Sequence, residues 1–266
     1  MISAVIIVLR EVLEGVLLIC MLMASACAMG HRLRWLPPAL IMGFAGALAY
    51  GLFLEPISML FDGLGQEISS AVILLTTALA LVVYSGMLAA NATHAGSSGP
   101  ASGVLLVCVT ATTLSLLREG AEIYLYVYGY GVQAGQMASV LAGGTIGAGI
   151  GLSLGTFLYY GLRALSRKAC LWASAAIAMM TGAAQVMQST YNLEQADLLP
   201  SMQALWDSSV LVAESSPAGE ILQAAIGYEA TPTAVQLGLY AASLLLSLMA
   251  MLLGRLYAGK RRERKA

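Results

Sequence analysis

Residues 4–22 read AVIIVLREVLEGVLLICML, and residues 104–126 read VLLVCVTATTLSLLREGAEIYLY. Each stretch is apolar over the roughly 20 residues that a helix needs to cross a bilayer core of about 30 Å. Each is also interrupted by the same charged pattern, Arg-Glu-x-x-Glu, at Arg10, Glu11, Glu14 and at Arg118, Glu119, Glu122. An ionised residue near mid-bilayer costs about 2.5–3.5 kcal/mol on insertion scales, and ionisable residues inside membrane helices mark ion pathways and proton relays.

The rest of the chain agrees with a membrane class. Of 266 residues, 59% are hydrophobic and only 10% charged, with a mean hydropathy of +0.82. Soluble domains carry about 25% charged residues. The net charge of -1 argues against a nucleic-acid partner. Cys20, Cys27, Cys108 and Cys170 all fall in apolar stretches without CxxC spacing, so they read as buried small hydrophobes rather than disulfides or thiolate ligands. Ala24-Ser25-Ala26-Cys27 has some likeness to a cleavage site. Arg10, Glu11 and Glu14 interrupt the apolar run before it, and no basic region leads it, so the segment is expected to stay as a helix.

The expected fold is an all-α polytopic membrane protein with seven transmembrane helices at about 3–29, 36–54, 68–90, 103–130, 136–162, 169–190 and 231–258. Pro37-Pro38, Glu55-Pro56, the Gly96–Pro100 stretch and the cluster from Arg163 to Lys168 supply the breaks. The whole chain reads as a single permease domain. Helices one to three (about 1–95) form one repeat and helices four to six (about 100–190) a second. An outer loop (about 191–230), then helix seven and a basic tail (about 231–266), follow. The doubled motif in helices one and four carries the repeat. Small residues at four-residue spacing support it, Gly43, Ala47, Gly51 in helix two and Gly147, Gly151, Gly155 in helix five. Three spans per copy make the repeat inverted, a common transporter plan with the substrate site at the repeat interface.

Eleven of the 13 basic residues then fall on one side: Arg32, Arg34, Arg163, Arg167, Lys168, Arg255, Lys260, Arg261, Arg262, Arg264 and Lys265. By the positive-inside rule that side is the cytoplasm, which puts the N-terminus outside and the C-terminus in the cytoplasm of an inner-membrane protein. Nine of the 14 acids, Glu55, Asp62, Glu67, Glu194, Asp197, Asp207, Glu214, Glu220 and Glu229, fall on the outer side. Such a face concentrates cations by its field, or it only reflects how readily acids are translocated; composition does not separate the two.

Within each motif the two glutamates are at i and i+3 on one helix face, and the arginine reaches the second at i+4. At about 1.5 Å per residue, both pairs lie roughly 12–17 Å below the outer surface. Four carboxylates at one depth can converge, and two arginines leave a charge of -2 for a cation or protons to complete. Carboxylates are ligands for hard cations. His31 and His94 are expected in cytoplasmic loops, away from this site. The alternative is a buried clamp in which each Arg–Glu pair only fixes packing, leaving one glutamate per helix without a partner. Around the site, Tyr124, Tyr126, Tyr128 and Tyr130 read as an interfacial aromatic belt. In the outer loop, Met202, Leu205, Trp206, Ser209 and Val210 share one helical face, and Ser216-Pro217 starts a second short helix, both expected to lie over the bundle.

Paired Arg-Glu-x-x-Glu motifs in helices one and four of a seven-helix chain resemble the oxidase-dependent iron/lead transporters, the high-affinity iron permeases of bacterial type. Leu205-Trp206-Asp207, Gly227-Tyr228, Pro232 and Gln66-Glu67 extend the resemblance. It implies a transporter and not an enzyme, with iron, taken as Fe3+, as the transported substrate and no permanently bound cofactor. It implies Glu11, Glu14, Glu119 and Glu122 as metal ligands, Arg10 and Arg118 as orienting residues, and Glu67, Glu194, Asp197 and Asp207 as candidates for metal access. It also implies a periplasmic iron-oxidising or iron-delivering partner. Val12 stands where the first motif usually has glycine, and Ser70 where relatives often carry a second acid after Glu67. Lead or manganese as cargo, a membrane enzyme with buried carboxylates, and a non-transporting scaffold subunit are the rival readings.

Overall fold

The computed structural model describes residues 2–93, 101–200, 202–214 and 216–263. His94, the Gly96–Pro100 break, Arg264 and Lys265 lie outside the described residues. Nine α-helices are described: α1 (Ile2–Ala28), α2 (Leu36–Leu52), α3 (Leu54–Ser58), α4 (Gly65–Thr93), α5 (Ala101–Tyr126), α6 (Met137–Ala164), α7 (Arg167–Gln195), α8 (Pro217–Ile226) and α9 (Ala234–Glu263). A π-helical turn, Val127–Gln133, extends α5. No strand occurs among the described residues. Long apolar segments become helices because lipid offers backbone N–H and C=O groups no partner, and a helix satisfies them all internally.

Several helices start where the sequence supplies the chemistry to start them. Pro37 and Pro38 sit in the first turn of α2, where a missing N–H costs nothing. Ser166 caps α7 by accepting from the Ala169 N–H at 3.3 Å, and Ser216 caps α8 by accepting from Gly219 at 3.1 Å.

Among the described residues, six helices are long and apolar enough to cross a membrane: the Leu33–Leu52 stretch containing α2, α4, α5 with its extension, α6, α7 and α9. The charged α1 is not among them, although it has 27 residues. It packs along α6, so that Val5 and Leu9 meet Gly147, Val12 meets Gly151, and Val16 meets Gly155. Residue numbers rise together along both helices, so the pair is parallel. α2 and α5 pack the same way, with Leu116 on Gly43, Ala47 on Gly120 and Tyr124 on Gly51. A Cβ on Gly43 would stand 2.6 Å from that of Leu116, and one on Gly147 would stand 2.9 Å from the Leu9 nitrogen. Small residues are therefore what let these helices touch, as expected where lipid gives no hydrophobic drive for association. α4 and α7 run antiparallel, with Asn192 donating to Ser70 at 3.1 Å and Gly182 facing Leu81.

One end of the bundle is basic. Arg167 donates to the Ala28 and Asn91 carbonyls at 3.0 and 3.2 Å, tying the ends of α1 and α4 to the start of α7, and Arg255 lies 5.5 Å over Trp172. Cations suit these helix C-termini. The half of the bundle nearer this end is filled by Leu18, Met21, Leu22, Leu81, Tyr84, Leu88 and Leu171, all fully buried.

The opposite, acidic end carries α8 and the long loop. α8 lies over α1 and α7. It ends at Gly227, whose φ of +71° and contact with Ala184 both exclude a side chain. The helix expected across Met202–Val210 is absent. Instead Leu205 N–H donates to Pro232 O, and Ser208 N–H to Ala230 O, both at 2.9 Å, so the segment is extended against residues 230–233. Backbone pairing with a segment distant in sequence wins because the expected apolar face is not buried: Leu205, Trp206 and Val210 are all exposed.

Candidate functional site

The two motifs meet. Arg10 binds Glu11 at 2.5 Å, Glu14 at 3.9 Å and, across the helix boundary, Glu122 at 3.7 Å. Arg118 binds Glu119 and Glu122 at 2.6 Å each, and reaches over to Glu14 at 3.4 Å and Glu11 at 3.6 Å. α1 and α5 bring these groups together where Gly15 faces Ser115 and Glu119. Glu11 and Glu119 are buried, at 1% and 4% exposure, while Glu122 is 32% exposed at the side chain.

Two further residues complete the cluster, and sequence reading did not assign either to it. Gln188 of α7 donates its amide to both oxygens of Glu14 at 3.0 Å. Glu220 of α8 stands 3.5 Å from Arg10. An amide in an apolar span was the available signal for Gln188. Glu220 sits in the first turn of its helix, where an acid is ordinary, so nothing local marked it. With all groups ionised, five carboxylates face two guanidiniums, which leaves a charge of -3.

The partnerless glutamate that a clamp would leave in each helix is not found, because the arginines bridge between helices and every motif carboxylate has a guanidinium within 4 Å. Among the described residues, no three His, Cys, Asp or Glu are grouped so as to hold a metal ion. The carboxylates are organised around guanidinium groups in this conformation. Oxygen capacity nevertheless remains: Glu11 Oε2 and Gln188 Oε1 are buried without a hydrogen-bond donor.

A cavity of about 570 Å3 leads from the acidic end to this cluster, lined by Arg10, Arg118, Glu122 and Gln188 at its floor and by Glu214, Glu220 and Glu229 at its wall. Burial and the neighbouring Glu214 charge push the Glu229 carboxyl up to about 7, and burial also raises Glu220. On the far side of Glu122 a small cavity of about 30 Å3 is lined by Tyr50, Gln66, Ser70 and Arg118.

The other acids singled out from sequence are used elsewhere. Glu194 accepts from Thr233 and Gln236 at 2.9 Å each, at the start of α9. Asp207 is exposed and closes a turn onto the Ser209 N–H at 2.9 Å, and Asp197 is exposed at a positive φ of 53°. Glu67 keeps one buried oxygen without a partner at the start of α4. None of these four lines the large cavity.

A multi-pass helical protein with a buried arginine–carboxylate cluster below an open acidic cavity is built as a transporter. The profile of the Iron permease FTR1 family matches residues 104–264, more than half of the chain. The chain belongs to that family, whose members are transporters of iron and not enzymes. The matched part contains Arg118, Glu119 and Glu122, whereas Arg10, Glu11 and Glu14 lie before it. Comparison with curated proteins and with solved structures returns no match.

Proposed function

We propose that this chain carries Fe3+ across the cytoplasmic membrane, from the acidic end, facing outward, to the basic end in the cytoplasm. The observation that carries the reading is the convergence of Glu11, Glu14, Glu119 and Glu122 around Arg118, with Glu122 and Arg118 opening onto the acidic cavity. The donors there are all oxygen, which suits a hard trivalent cation. The cation enters past Glu214, Glu220 and Glu229, and as it binds Glu122 and Glu14 it displaces their contacts with Arg10 and Arg118. A periplasmic iron-oxidising or iron-delivering partner would load the cavity from outside.

In this reading α1 is the seventh span. Its parallel packing along the length of α6 supports that, because α6 is itself long enough to cross. An inverted repeat of α1–α2–α4 and α5–α6–α7 is supported by the way the helix pairs exchange. α1 packs on α6 as α5 packs on α2, in each case through glycines, while the equivalent helices α4 and α7 pack on each other. The closed apolar half and the open acidic half correspond to an outward-facing state of an alternating-access cycle.

Radiolabelled iron uptake by wild type, Glu14→Ala and Glu122→Ala tests the site, with Fe2+ under reducing conditions and Pb2+ or Mn2+ as competitors. Both variants are expected to insert normally and take up no iron. Full uptake by either one, at wild-type expression, refutes the assignment. The guanidinium beside each carboxylate favours a second reading, a buried clamp that only fixes helix packing. Under it Glu14→Gln keeps uptake and lowers stability.

A further inference from the structure

Inward of the glutamates, α5 carries a polar face through otherwise apolar protein. Ser115, Thr112 and Cys108 follow Glu119 at four, seven and eleven residues, which is one face of a helix and spans about 16 Å. All three are buried, at 3%, 0% and 0% exposure. On α7, Gln185 lies one turn inward of Gln188 and is 6% exposed. α1 and α4 each pack against both α5 and α7, so these four helices surround a common axis.

The hydrogen bonding along this axis is incomplete. Ser115 Oγ, Thr112 Oγ1 and Gln185 Oε1 are buried without a partner. In membrane helices such hydroxyls usually bond back to a carbonyl one turn earlier, as Thr77 does to Ile73 and Thr190 to Val186. Leaving a buried polar group unsatisfied costs free energy. At the inner end this polar row stops at Tyr84. This fully buried side chain shares a 2.8 Å hydrogen bond with Ser25 of α1, and its hydroxyl lies beside the Cys108 thiol of α5.

We propose that Ser115, Thr112, Cys108 and Gln185 line the inward leg of the cation path, shut in this state by Tyr84. The inference rests on the permease reading and adds the route and gate by which the cargo leaves. The chemistry fits release. The carboxylate site binds through full charges, whereas hydroxyl and amide dipoles hold a cation weakly enough to let it go. Water or the passing cation supplies the missing partners once the leg opens.

The native Cys108 is the probe. In a protein with Cys20, Cys27 and Cys170 changed to Ala, a small cationic methanethiosulfonate is applied from the basic end in inside-out vesicles. Cys108 is expected to react, and to react faster by about tenfold in Tyr84→Ala, as for a gate favouring closure by a hydrogen bond. No reaction, or one rate in both proteins, overturns the proposal. Because Tyr84→Ala removes a large buried side chain, Thr112→Val gives a second measure. It keeps the volume and deletes only the hydroxyl. Iron uptake is expected to fall about tenfold, with melting temperature not lowered and iron affinity unchanged. Wild-type uptake in that variant also overturns it. If the wild type itself takes up no iron, the permease reading fails, and the Cys108 labelling still decides whether an aqueous cation leg exists.

Discussion

Arg118→Met removes the group that holds the two motifs together. The guanidinium contacts all four motif carboxylates, two of them at 2.6 Å, and is itself buried. Taking about 4 Å between charge centres and an effective dielectric of about 20, each such contact has a Coulomb energy of about 4 kcal/mol. Desolvation and carboxylate repulsion offset most of the sum, and removing one partner of a buried pair costs about 3–5 kcal/mol in practice. For a chain of this size that corresponds to a fall in melting temperature of roughly 6–20 °C. Methionine fills similar volume, so the loss is electrostatic rather than a cavity. The assay is thermal unfolding in detergent, with and without Fe3+ or a redox-inert trivalent ion such as Ga3+. The cation should stabilise Arg118→Met by more degrees than wild type, because the variant site is more negative by one charge. A variant as stable as wild type would refute the ionised cluster. Equal stabilisation of the two proteins by Ga3+ would refute the idea that arginine and cargo compete for the same oxygens.

Other perturbations separate the parts of the site. Gln188→Leu loses both hydrogen bonds to Glu14, and bonds to a charged group are worth about 1.5–3 kcal/mol, so the melting temperature of the variant should fall by roughly 3–12 °C. Glu229, held protonated up to about 7, gains its charge as pH rises through 7. Iron capture by the cavity should therefore increase across that step, and Glu229→Gln should flatten the profile. The same raised carboxyl pulls stability the other way: the unfolded state ionises first, so its contribution declines from about pH 4.5 to 7 and is constant above. Gly147→Leu drives a side chain into the Val5–Leu9 backbone of α1, and overpacking costs about 1–3 kcal/mol or more. Monodispersity and melting temperature of the purified variant should both fall.

Much of this protein was legible from the chain alone. Apolar length decided which segments become helices, since lipid leaves the backbone no alternative, and α2, α4, α6 and α7 begin and end within a few residues of the expected limits. The doubled Arg-Glu-x-x-Glu was equally readable, because ionised groups in an apolar helix are too costly to lack a role. Ser216-Pro217 announced α8 through cap chemistry that acts within one turn. The loop at Met202–Val210 was misread because its partners, Ala230 and Pro232, lie far along the sequence.

What the linear order could not decide is who faces whom. Helical periodicity puts Glu11 and Glu14 on one face, but only the packing of α1 between α5, α6 and α7 turns that face toward Arg118 and Gln188. Glycines that permit close approach carry no address for the partner helix. The address comes from shape and from pairing of buried charges, both of which exist only after distant segments have met. Glu220 shows this most directly: as a sequence position it is one acid among many in a loop, and it joins the site because α8 rests on α1 and α7. Hydropathy and local chemistry act along the chain and so can be read from it, whereas the arginine-centred cluster is a property of contacts across it.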